Sequence, residues 1–166
     1  MNRPMIVAGL LFVLAVGLTV ALGPGNPDAE DPSVSSNATV ELDELTAVLY
    51  HNPNCGCCGE YVAYLRRHGV DVEVRTTTGS EMTTIKDRFG IAPAMQSCHT
   101  MEIGGYAVEG HVPLEAIERL LSEQPDVQAI ALPGMPTGSP GMNGPKTAPF
   151  EIYGITDEGA EVYLSL

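Results

Sequence analysis

At 166 residues the chain has room for one compact domain plus appendages, and 44% hydrophobic residues are ample for a core. A formal charge of −13, from 21 acidic against 8 basic residues, argues against nucleic-acid binding, which leaves a basic footprint. The acidity fits a solvated surface with a weak general pull on cations, and no acidic run is dense enough to make a site by itself.

Arg3 is the only early charge, and an uninterrupted apolar run follows from Ile6 to Leu22. That run is at the short limit for a membrane span, which needs roughly 17–25 residues, and is long for a signal-peptide core. No clear small-x-small cleavage site follows it, so residues 1–23 are expected to be an uncleaved anchor in preference to a cleaved signal. Both readings export the rest of the chain. The lone positive charge ahead of the segment keeps the N-terminus inside and the domain outside, an extracytoplasmic location with a membrane tether. Residues 24–40, PGNPDAEDPSVSSNATV, lack apolar periodicity and read as a flexible linker.

The expected α/β domain covers residues 41–131. LTAVLYH (45–51) has strand composition and ends at the turn pair Asn52-Pro53. From Cys58 a helical period takes over, with Tyr61, Val62 and Leu65 on the same face and Gly69 as its stop. VDVEVRT (70–76) alternates as a half-buried strand with Val70, Val72 and Val74 inward. Ser80 is the expected cap of a second helix whose stripe is Met82, Ile85 and Phe89, stopped by Gly90. CHTMEIGGYAVEGH reads as two short strands joined at Gly104-Gly105. Pro113 suits the first turn of a third helix, with Leu114, Ile117, Leu120 and Leu121 facing in. The order is β-α-β-α-β-β-α. Residues 132–149 are too rich in Pro and Gly for regular structure, and FEIYGIT with AEVYLSL forms a terminal hairpin. The loop and hairpin together make up 132–166.

The chemistry concentrates in HNPNCGCCGEY, where three of the four cysteines lie together. Cys55 and Cys58 have C-x-x-C spacing between the first strand and the first helix, where thioredoxin-like proteins keep a redox pair. Free backbone N–H groups and the positive end of the helix dipole stabilise a thiolate there. Cys58 belongs to the apolar stripe and faces in; Cys55, ahead of it, is the more exposed. Cys57 adds a third thiol that a plain redox pair does not need. Cys98 opens the hairpin strand, which can lie beside the first strand and so approach the cluster.

Softer donors surround these thiols in the sequence. Met135 and Met142 recur in PGMPTGSPGM, a loop with little else to bury, and His111 ends a strand facing the next helix. Thiolate and thioether donors favour Cu(I). Other readings compete. Four cysteines in an exported domain can be two disulfides, in any of the three pairings open to them. A zinc or iron–sulfur site is also compatible with the thiols. His99 and Met101 are further soft donors by type, but His99 reads more readily as a hairpin histidine without a ligand role, Met82, Met95 and Met101 as core, and His68 as a solvated residue at a helix end. His51 is left open between the cluster and solvent.

HNPNCGCCGEYVAYLRRHG, GIAPAMQSCHTMEIGGYAVEGHVP, RLLSEQPDVQAIALPGMPTGSPGM and the terminal hairpin, in that order over roughly residues 45–166, resemble the CopG-like family of exported copper-resistance proteins. The resemblance implies a thioredoxin-like domain whose C-terminal extension helps to bind metal. It implies a cysteine-bridged, multinuclear copper site and a role in copper tolerance through interconversion of Cu(I) and Cu(II). Carried onto this sequence, the motif cysteines are Cys55, Cys57, Cys58 and Cys98. Position and chemistry then add Met135, Met142 and His111 as metal donors, with Cys55 and Cys58 as the redox-active pair. The partners expected are copper ions, the membrane, and a copper efflux system or another exported copper protein. A thiol–disulfide oxidoreductase and a redox-silent Cu(I) chaperone are the alternatives.

Overall fold

The structure, a computed structural model, describes residues 46–166. The expected anchor and linker lie outside the described residues. Among the described residues no helix is long and apolar enough to cross a membrane.

Strand β1 (Thr46–His51) leads into helix α1 (Gly56–Arg67), then β2 (Asp71–Thr76) and α2 (Gly79–Arg88). The hairpin β3 (His99–Ile103) and β4 (Tyr106–Glu109) precedes α3 (Leu114–Glu123). Strand β5 (Ala129–Ala131), a long loop, and the hairpin β6 (Glu151–Thr156) and β7 (Gly159–Ser165) complete the chain. Among the described residues the seven strands form one mixed sheet in the order β2-β1-β3-β4-β5-β6-β7. β1 pairs parallel with β2 and antiparallel with β3, and β4 pairs parallel with β5.

Side-chain alternation across the sheet sorts two cores. Met101, Ile103, Val108 and Ile130 pack with Tyr61, Val62 and Leu65 of α1 and Ile117, Leu120 and Leu121 of α3. The alternate residues Ala107, Ala129, Ala131 and Ile155 gather with Ile91 in a second cluster, onto which Phe89 and Met95 pack. Gly104 and Gly105 both take positive φ, as the tight turn between β3 and β4 requires. Gly69, also at positive φ, ends α1: Val70 N–H returns to the Leu65 carbonyl and Gly69 N–H to the Arg66 carbonyl.

Four details differ from the sequence reading. α1 begins at Gly56 with Cys55 as its N-cap, two residues ahead of the apolar periodicity, because the Cys-Gly-Cys stretch carries no core residue until Cys58. The cap of α2 is Thr78, not Ser80: Thr78 Oγ1 accepts the Glu81 N–H while the Glu81 carboxylate accepts the Thr78 N–H, a reciprocal box. Val74 is exposed, since β2 is the sheet edge and only Val70 and Val72 reach the core. The three-residue β5, unforeseen in the sequence, joins the terminal hairpin to the main sheet.

Candidate metal centre

The pairing of β1 with β3 sets His51 opposite His99, and so brings Cys98 to the start of α1. The four cysteines then converge. Cys57 Sγ lies 3.7 Å from Cys55 Sγ and 3.5 Å from Cys98 Sγ. Cys58 Sγ lies 3.9 Å from Cys98 Sγ. A tetrahedral ion with metal–sulfur bonds of about 2.3 Å holds its sulfurs roughly 3.8 Å apart, a separation close to these spacings. Cys55 and Cys58 are joined by a disulfide, and Cys57 and Cys98 are free thiols.

Two buried histidines complete the cluster. His99 Nδ1 lies 3.4 Å from Cys58 Sγ and 3.3 Å from Cys98 Sγ. His111 Nε2 lies 3.5 Å from Cys98 Sγ, while its Nδ1 lies 2.7 Å from the Pro140 carbonyl. A carbonyl only accepts, so His111 carries its proton on Nδ1 and turns a bare Nε2 toward the thiols. Burial, then the neighbouring His111 and Lys86, lowers His99 to about 3, and burial also lowers His111. Both rings are therefore neutral, the form that binds metals. Burial pushes the Cys98 thiol up to about 12, reinforced by its hydrogen bond with Cys57, so a cation binding there displaces a proton.

The donors fall into two sets. Cys55, Cys58, Cys98 and His99 form one, and Cys57, Cys98 and His111 form the other. Cys98 belongs to both, as a bridging thiolate would. Tyr61 walls the interior side, its ring 4.7 Å from that of His99 and its hydroxyl donating to the Val112 carbonyl. Met135 lies toward solvent, its Sδ 3.9 Å from Cys57 Sγ, and is half exposed. No side chain at Gly56 or Gly59 crowds the approach, and a Cβ there would meet nothing within 4 Å.

The loop between β5 and β6 is seated by backbone contacts. Gly141, at φ +78°, lies so close to α1 that a Cβ would stand 2.7 Å from the Tyr61 nitrogen. Ser97 Oγ donates to the Gly134 carbonyl, and Gly134 N–H to that of Gln96, tying the Met135 side of the loop to the segment before Cys98.

Behind the sheet, a buried ion pair grips the same segment. Lys86 Nζ bonds Glu109, the Thr100 hydroxyl and the Ser97 carbonyl. Glu109 accepts the Ser97 N–H and the Thr100 hydroxyl. Burial raises the Glu109 carboxyl, with the Lys86 charge opposing that rise.

Most expected site residues thus meet: Cys55, Cys57, Cys58, Cys98, His111 and Met135. Met142 is half-buried and has no thiol within hydrogen-bonding reach among the described residues. His51 bonds its own neighbour's Asn52 carbonyl, and the exposed His68 bonds the Tyr64 carbonyl at the end of α1. Met82 and Met101 are core, and Met95 packs on the second cluster. His99, which the sequence leaves nearer to a plain hairpin histidine, shares the inward alternation of Met101 and Ile103 and stands with the first donor set. Lys86 and Glu109 were missed. The Glu109 signal was its place two residues from His111 on a strand of otherwise apolar residues.

Residues 95–142 match the family model described as a protein of unknown function, DUF411. Two solved structures of copper resistance protein CopG are similar over most of their length. Form 2 is 37% identical with a TM-score of 0.65, covering 74% of this chain and 98% of that one. Form 1 is 36% identical with a TM-score of 0.66, covering 73% and 96%. No curated protein matches significantly.

Proposed function

The chain belongs to the CopG-like family of copper-resistance proteins, and from that premise we propose that it is an exported copper-binding protein of copper homeostasis. It holds copper in a thiolate-bridged, multinuclear site built on a thioredoxin-like core. The observation that carries this reading is the sharing of Cys98 between two donor sets. Thiolates and a thioether at spacings suited to coordination, beside neutral imidazoles, favour Cu(I). Cys55, Cys57, Cys58 and Cys98 bind the ions, His99 and His111 cap the two sides, and Met135 closes the solvent side. Met142 supports the site through the same loop.

Each residue type has a task in that chemistry. The start of α1 brings Cys55, Cys57 and Cys58 together within one turn, and Cys98 meets them from the β3 side. Tyr61 and the loop keep the inner sulfurs away from water. The reduced Cys55–Cys58 pair stores two electrons, the number needed to turn two Cu(II) ions into Cu(I) as the disulfide forms and two protons leave, so the couple can balance an interconversion of the two states. The experiment is anaerobic Cu(I) loading of the reduced protein with metal analysis, repeated on Cys57→Ser. Reduced stoichiometry in the variant is expected; unchanged stoichiometry and affinity would sink a site that uses all the thiols.

The disulfide at the start of α1 favours a second reading, a thiol–disulfide oxidoreductase using Cys55 and Cys58. That reading requires the metal-free protein to reduce insulin or isomerise disulfides, and it makes Cys57 dispensable. A redox-silent chaperone that delivers Cu(I) to an efflux system would transfer metal with no change in thiol state. The apolar run from Ile6 to Leu22 supports an extracytoplasmic domain on a membrane tether. Fractionation of expressing cells checks this, and recovery of the chain in the cytosol would refute it.

A further inference from the structure

We infer that the site has two compartments of different redox sensitivity: Cys57, Cys98 and His111 hold one soft monovalent cation while Cys55 and Cys58 are disulfide-bonded, and the other compartment opens only when that bond is reduced. The inference rests on the copper-binding reading above and adds a rule for when each part of the site is available.

The geometry separates the compartments. Adjacent helical residues point about 100° apart, so Cys57 and Cys58 leave α1 in different directions. Cys58 is buried against His99, whereas Cys57 is part-exposed and meets Cys98 and the Met135 thioether. A disulfide removes both Cys55 and Cys58 as thiolates, leaving the inner set with only Cys98 and His99. It removes nothing from the outer set. Cys57 and Cys98 remain free thiols 3.5 Å apart, and Cys98 lies at the same distance from His111 Nε2. The bond from Pro140 to His111 Nδ1 fixes the donor tautomer without involving any cysteine. Three soft or borderline donors then lie within 4.8 Å of one another on three separate stretches of chain, with Met135 beside Cys57.

Reduction is the opening step, and it balances simply. A dithiol reductant supplies two electrons and two protons; the Cys55–Cys58 bond breaks to two thiols, and the reductant becomes a disulfide. The chain thereby changes metal capacity without changing fold. In an oxidising compartment it keeps the outer position, and thiol reduction adds the inner one.

Silver(I) tests this, because it shares the softness of Cu(I) but does not reduce disulfides. The full-length chain, purified in detergent, is oxidised with glutathione disulfide. Alkylation and mass spectrometry should find Cys57 and Cys98 modified and Cys55 and Cys58 protected. Titration is expected to give one tightly bound Ag(I) in this state and more after reduction. Oxidised His111→Ala should bind at least about tenfold more weakly. A Cys55→Ser/Cys58→Ser double variant, which has no disulfide to form at that position, should still bind one. Absence of binding to the oxidised chain or to the double variant overturns the inference, as do equal stoichiometries in both states. Protection of Cys57 and Cys98 from alkylation, which signals a bond between them, also overturns it. If the reduced chain binds neither Ag(I) nor Cu(I), the copper reading itself falls; if only the oxidised chain fails, the two-compartment inference falls alone.

Discussion

His111 donates its Nδ1 proton to the carbonyl of Pro140, and this single bond couples the ring to the loop between β5 and β6. Replacing the histidine removes an imidazole from the cluster and leaves the part-buried Pro140 carbonyl without its donor. His111→Ala should weaken Cu(I) binding by about tenfold or more and lower stability by about 1–3 kcal/mol. Competition with a chromophoric Cu(I) chelator reads the first effect and urea unfolding the second. An unchanged affinity would remove His111 from the site.

Gly141 seats that loop on α1. At φ +78° a side chain is strained, and its Cβ would press on the Tyr61 backbone. Gly141→Ala should cost more than about 1 kcal/mol and reduce copper affinity although no donor is altered. The same competition assay checks it, with Gly105→Ala as the control: it too has positive φ, but its Cβ would meet nothing within 4 Å. Equal copper affinity in the two variants would show that the loop contact is irrelevant to the site.

The pair Lys86–Glu109 is the most consequential buried charge behind the sheet. Lys86→Met leaves the Glu109 carboxylate enclosed without its cation and should destabilise the fold by about 3–5 kcal/mol. Adding Glu109→Gln removes the stranded charge and retains an oxygen for the Ser97 N–H. The double variant should recover much of the loss in urea unfolding. A double variant no more stable than Lys86→Met alone would contradict the account.

The two loop methionines should behave differently. Met135 lies beside Cys57 and is half exposed, so Met135→Leu should barely alter stability yet lower Cu(I) affinity. Met142→Leu should have the smaller effect on affinity, since its sulfur has no thiol within reach among the described residues. Parallel titrations of both variants decide this, and a larger loss at Met142 would mean that the loop rearranges on metal binding.

The legible parts of this fold are those written in local patterns. The Gly104-Gly105 turn, the inward face of α3 and the C-x-x-C spacing each depend on neighbours in sequence, and each is where its pattern points. The cap of α2 has a local signal too: Thr78 and Glu81 stand at capping-box spacing, though Ser80 lies nearer the apolar stripe and competes with it. Lys86 follows Met82 by four residues, so the helical period alone gives it an inward position; its charge hides that, and only Glu109, distant in sequence, makes burial tolerable. His99 was obscured by the same nonlocality. Its role depends on Cys58 of another element, and a histidine in an alternating strand reads as ordinary. β5 is three residues long and is held by pairing with β4 and β6, which no local signal announces.

That short strand has a further consequence. Because β5 and β6 are neighbours in the sheet, the stretch between them, residues 132–150, begins and ends at adjacent points of a rigid frame. The entropy of closing such a stretch depends on bringing its ends together, and here the sheet has already done so. Met135 and the Pro140 carbonyl are therefore delivered to the cysteines by the folding of the domain, and capture of an ion need not organise them.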